Sequence, residues 1–197
     1  MVTTPSRRLV RVLAALIGLT LAAGAIRVAT YEEVPPAPAA INLWGALLTS
    51  RSATVAVTGD AIEARGVIEF AAQRSSLAVT TPVPYAEVAD RAVTYVRRAG
   101  RWYRYVGAQG PSGVAFALVR MLSEADPLRY EGRAAGRTRW SAPNGLRVVV
   151  DARGFPVVLE RGTTRAELSG FFGPGADPPP LRSTPVASLD AALRAGA

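Results

Sequence analysis

The chain contains no cysteine, no histidine and no lysine. Without cysteine there is no disulfide, no thiolate nucleophile and no thiolate metal ligand. There is also no lipobox cysteine on which a mature N-terminus could be acylated. Without histidine there is no imidazole ligand and no Ser-His or Cys-His pair. These absences lead to the reading that the protein is not an enzyme and uses no cofactor and no metal. With lysine missing, all 23 cations are arginine. They are spread along the chain rather than gathered on one element, which argues against a nucleic-acid partner. Charged residues make up only 19% and hydrophobic residues 49%, enough apolar material for a core.

The formal charge is +8, falling to +5 if a leader carrying Arg7, Arg8 and Arg11 is removed. Those arginines form a positive n-region before the uncharged run Val12 to Ile26. The run spans 15 residues, suited to a signal h-region and short of the roughly 20 residues of a membrane span. Ala23-Gly24-Ala25 offers a cleavage site after Ala25. The rival reading is a retained anchor from Leu9 to Ala29, with Arg11 and Arg27 snorkelling at its ends. Both readings place residues 1–30 at the membrane and the rest outside the cytoplasm, secreted or anchored to the outer face of the cytoplasmic membrane. Pro35, Pro36 and Pro38 make 31–40 an extended linker. The folded domain is expected over 41–197.

Within it, Ile41 to Ser50 reads as a short amphipathic helix and Ala53 to Thr58 as a strand. Gly59-Asp60 marks a turn into Ile62 to Phe70, whose clear alternation is that of a half-buried antiparallel strand. Leu77 to Thr81 is a further strand, and only a brief run separates Val83 from Ala92. Ala92 to Arg97 and Trp102 to Val106 flank Ala99-Gly100 as a hairpin. Ser112 is expected to cap a helix whose Val114, Leu118, Met121 and Leu122 fall at helical spacing before Pro127. Strands follow at Thr138 to Ala142, Leu146 to Asp151, Pro156 to Arg161 and Thr164 to Phe171, with Asn144-Gly145 as a two-residue hairpin turn. A terminal helix is expected within Val186 to Arg194.

This order fits an α+β fold with one large antiparallel sheet. Twist curls so large a sheet into a half-barrel, with a few helices on its concave face and the N-terminal hydrophobic helix ahead of it. Its interior is a natural apolar cavity. Alternation puts Ile62, Ala64, Ile68 and Phe70 on one strand face, continued by Leu77 and Val79 and by Val148 and Val150; Leu118 and Leu122 lie on the covering helix. These ten are the candidate ligand-lining residues, and alternation alone equally describes a filled core. Gly66 among them reads as cavity space or as a bulge.

Arg97, Arg98, Arg101 and Arg104, interleaved with Trp102, form the densest basic patch. It is a candidate for contact with anionic headgroups, or else a solvated hairpin tip. Gly107, Gly110 and Gly113 in VGAQGPSGV lack the lysine of a phosphate loop and read as a flexible link. Ser112 lacks a general base. Glu63 and Glu69 lie about 20 Å apart on one strand, too far for paired-carboxylate chemistry.

Four stretches in order carry a resemblance to a known family: SATVAVTGDAIEARGVIEF after the opening helix; DRAVTYVRRAGRWYRY; SEADPLRYEG followed by GRTRW; and VVVDARGFPVVLE running on to ELSGFFGPGADPPP. Over roughly Ile41 to Pro180 the chain resembles the LppX/LprG-type envelope lipoproteins of actinobacteria, with their LolA-like fold. The resemblance implies an exported lipid- or hydrophobic-ligand-binding or transport protein of the cell envelope. The chain departs from that family in lacking the lipobox cysteine and in its short middle. The alternative is an interaction or sensor domain on the same scaffold, binding no ligand and meeting a membrane or protein partner through the arginine/aromatic hairpin.

Overall fold

A computed structural model describes residues 34–195. The expected leader or anchor lies outside them. Every element below belongs to the compact unit Ala37–Ala197. Among the described residues no helix is long and apolar enough to cross a membrane.

The elements, in order, are α1 (Ala40–Ser50), β1 (Ser52–Gly59), β2 (Ile62–Glu69), β3 (Arg74–Thr81), β4 (Tyr85–Asp90), β5 (Val93–Arg98), β6 (Arg101–Val106), α2 (Pro111–Ser123), β7 (Arg129–Ala134), β8 (Arg137–Ser141), β9 (Arg147–Val150), β10 (Pro156–Arg161), β11 (Thr164–Ser169), β12 (Thr184–Pro185) and α3 (Leu189–Ala195). All strands join one sheet in the order β12-β6-β5-β4-β3-β2-β1-β11-β10-β9-β8-β7. Two antiparallel meanders, β1–β6 and β7–β11, meet where β11 pairs with β1. Only β12 runs parallel to its neighbour, β6. The crossover from β6 to β7 joins strands at opposite sides of the sheet, and it carries α2 across the inner face, against β1–β4 and β10. The sheet is thus an open, curled one around α1 and α2.

Period-2 alternation then decides which residues meet. On the inner face Val57 stands opposite Ala64 and Ala166, and Ala64 opposite Val79. Leu159 stands opposite Val148, and Val148 opposite Trp140. Leu43 and Leu47 of α1 and Leu118 and Leu122 of α2 complete this single apolar cluster.

The sequence reading misses two strands. In β4, YAEVAD, alternation turns Glu87 inward, so the strand carries no apolar stripe. In β7, RYEGRA, Tyr130 is the only large apolar side chain, as suits an edge strand. The brief run between Val83 and Ala92 thus holds the strand β4. Gly66 is neither cavity space nor a bulge. The irregularity in β2 lies at Glu63/Ala64, whereas a Cβ on Gly66 would strike the backbone of Ser76 and Leu77 on β3.

Asn144-Gly145 does not form a two-residue turn. The β8–β9 loop is longer, closed by a hydrogen bond from the Ala142 amide to the Leu146 carbonyl. Asn144 Nδ2 donates to the Met121 carbonyl near the end of α2 (3.0 Å), and its Oδ1 accepts from the Leu146 amide (3.1 Å). Asn144→Ala is expected to cost about 1 kcal/mol in urea melts, the usual scale for such losses. An unchanged midpoint would show that the loop does not brace α2.

After β11 the chain crosses the outer face. Ser76 Oγ donates to Asp177, the Ala176 amide to Glu69, and Arg104 to the Ser183 carbonyl. It turns round the β6 edge as β12, and α3 then covers Val96, Tyr103 and Tyr105.

Candidate functional site

All ten candidate ligand-lining residues fall in or against the main apolar cluster. Ala64, Ile68, Phe70, Leu77, Val79, Leu118, Leu122, Val148 and Val150 are buried, and Ile62 is half-buried against them. The helices sit close on the sheet here, so in this conformation these side chains pack against one another.

One depression opens from that cluster to the surface. It holds about 170 Å³ beside α2, lined by Val114, Ala117, Leu118 and Met121, with Arg161 and Thr164 on the facing rim. Leu118 is the one residue of the ten that lines it. The Arg161 guanidinium stands 3.7 Å from Met121 Sδ. An apolar trough with one cation at its edge matches an amphiphile with an anionic head.

The inner face also holds a polar cluster that sequence reasoning missed. Glu87 is 0% exposed. Its Oε1 accepts from the Ser112 amide (2.9 Å), and the Tyr85 hydroxyl lies 3.5 Å from Oε2. Ser75 Oγ donates to Ser112 Oγ at 2.6 Å. Ser112 therefore does not cap α2. The N-cap is Gly110, which makes no side-chain cap, and the carboxylate of a neighbouring strand takes that role. An anion at a helix N-terminus is favourable. Gly110 (φ 96°) and Gly113 allow this closeness, since a Cβ on either would strike Glu87 or Ala108. The VGAQGPSGV link is thus closely fitted against β4 at Gly110. Burial pushes the Glu87 carboxyl above the ordinary carboxylate range, against the pull of the Ser112 and Tyr85 bonds. Burial and then the Glu87 charge raise the Tyr85 and Tyr105 phenols. The available signal was an acidic residue at an inward position of YAEVAD, once that run is recognised as a strand.

The arginine/aromatic hairpin is β5–β6. Its register pairs Arg97 with Trp102 and Arg98 with Arg101, so alternation divides the patch between two faces. Arg97, Trp102 and Arg104 face outward, while Arg98 lies on the side of α3 and donates to the Leu193 carbonyl. Arg104 is bonded to Ser183. Arg97 and Arg101 remain exposed and Trp102 half-buried. Among the described residues no three carboxylates gather as a metal-ligand set.

Fold and site together define a class: a curled antiparallel sheet wrapped around two helices, with an apolar trough beside one of them. Among solved structures, LprF from Mycobacterium bovis is similar, with 15% identity and a TM-score of 0.45 over 72% of this chain and 94% of that one. No family model and no curated protein matches the chain.

Proposed function

We propose that the domain is an extracytoplasmic, membrane-proximal, non-enzymatic module that takes up a lipid or similar amphiphile beside α2. The observation that carries this reading is the trough at Leu118 and Met121: it is apolar, it reaches a core side chain, and Arg161 stands at its rim to meet an anionic head. Its volume of about 170 Å³ is less than the few hundred typical of ligand sites. A whole acyl chain therefore requires α2 to move away from the sheet. A second reading, a packed interaction or sensor domain, is favoured by the close packing of the interior residues.

A photoreactive fatty acid added to envelope fractions containing the full chain distinguishes the two. The carrier reading expects label on the Arg-bounded segments 105–120 and 121–129, which hold the α2 wall of the trough. It also expects Met121→Glu to cut that label several-fold, because a carboxylate beside Arg161 would neutralise the rim cation and repel an anionic head. Label spread evenly over the domain, or none, would remove the carrier reading and leave the interaction domain.

A further inference from the structure

The outer face of the second meander carries a feature that neither the interior nor the β5–β6 hairpin explains. Two depressions, about 380 and 350 Å³, adjoin there and share Arg137, Val158 and Arg165 as lining. Five arginines line them against three glutamates. Arg65, Arg137, Arg139, Arg147 and Arg165 come from four strands, β2, β8, β9 and β11, and alternation aims them all outward. Val158 and Val149 form an apolar floor.

The cations differ in how they are held. Arg165 bridges Glu160 and Glu167, at 2.8 Å to the latter. Arg147 lies 3.8 Å from Glu131, and Arg65 lies 4.0 Å from Glu63. Arg137 and Arg139 are exposed and, among the described residues, have no acidic partner. They stand two residues apart on β8, about 7 Å along the strand, on the same face. Arg165, held by its two glutamates, and Arg147, beside Glu131, also line the groove. A charge surplus at a concave site with an apolar floor is unlike a flat solvated face, where cations alternate with partners.

We infer that this groove binds a phosphate-bearing ligand, with Arg137 and Arg139 gripping the phosphate. Guanidinium forks match phosphate oxygens two at a time, and two forks on one strand can close on a single phosphate from both sides. The same chemistry serves a phospholipid headgroup or a free phosphorylated molecule. The inference does not depend on the trough beside α2, which lies on the other face of the sheet.

The test is titration calorimetry on the full chain in neutral detergent micelles, with two probes. One is inorganic pyrophosphate, and the other is micelles doped with phosphatidylglycerol, against undoped ones. Saturable binding of pyrophosphate points to a free phosphate. Binding of doped micelles alone points to a headgroup. Either supports the groove if Arg137→Gln/Arg139→Gln weakens it at least tenfold while the melting temperature stays put. Arg137→Lys/Arg139→Lys, which keeps the charge and loses the forks, should fall between. The inference is overturned if neither probe binds, if the glutamine variant binds like the wild type, or if Arg97→Gln/Arg101→Gln at the β5–β6 hairpin abolishes binding instead.

Discussion

Gly66→Ala is expected to remove about 3 kcal/mol of stability, the upper end of what overpacking usually costs, and so a large part of a typical domain's margin. Gly66 stands opposite Val55 on one side and Leu77 on the other, in the middle of the first meander. A Cβ there would overlap the Ser76 carbonyl oxygen and crowd the Leu77 Cα. Both are backbone atoms of the neighbouring strand, so no rotamer change relieves them. β3 must move instead, and its ladder to β2 and β4 must stretch with it. Gly45 supplies the opposite case. It lies in α1 with nothing within 4 Å of an added Cβ, so Gly45→Ala is expected to stabilise by about 0.5–1 kcal/mol through helix propensity. Urea denaturation of both variants measures the contrast. A Gly66→Ala loss below about 0.5 kcal/mol, the range of ordinary surface changes, would mean that β2 and β3 are not in close approach.

Glu87 is expected to make stability depend on pH in an unusual direction. Its folded-state pKa lies above its ordinary value because burial disfavours the charge. The folded chain therefore holds a proton at pH values where the unfolded chain has lost it. By linkage, the contribution is fully present below the unfolded pKa and is lost as pH rises through the folded one. The groups facing the carboxyl are Ser112 and Gly110 of the α2 turn and Tyr85 on its own strand, with Tyr105 close enough for its phenol to feel the charge; none is a cation. Glu87→Gln retains an acceptor for the Ser112 amide and cannot ionise. The stability difference between the variant and the wild type should grow with rising pH, in the variant's favour, and then level off. Glu87→Ala should lose about 2–3 kcal/mol at low pH, since it orphans the buried Ser112 amide and leaves a void, and the loss should shrink as pH rises because alanine cannot ionise either. Parallel pH profiles for wild type and Glu87→Gln would show that the carboxyl keeps the same charge in both states.

Much of the fold was legible because periodicity is local. Ile62 to Phe70 alternates except at Val67, and β2 lies there. Pro156 to Arg161 is β10 to the residue. Helical spacing of Val114, Leu118, Met121 and Leu122 located α2, and Ala53 to Thr58 located β1. The strands that escaped are those whose alternation carries no apolar signal: β4, because an acid occupies an inward position, and β7, because an edge strand buries little. Asn144-Gly145 misled because the pair ends a three-residue loop, in which the Gly145 amide donates to the Ala142 carbonyl, and does not form a two-residue one. The candidate site was legible only in part. Leu118 and Met121 stood out by spacing. The rim cation Arg161 stood at a strand end, with nothing in the sequence to mark it.

The sequence by itself determined the chemistry available: no thiol, no imidazole, cations only as arginine, and strands most of whose inner residues are apolar. Tertiary structure decided where that chemistry is spent. It joined β11 to β1, carried α2 across the inner face, and set Glu87 under the α2 N-terminus. It also divided Arg97 to Arg104 between two faces and brought Arg65, Arg137 and Arg165 to a common groove from positions a hundred residues apart. The physical reason is that alternation fixes only which side of a strand a residue takes, whereas strand order and register, set by the packing of the whole core, fix its neighbours.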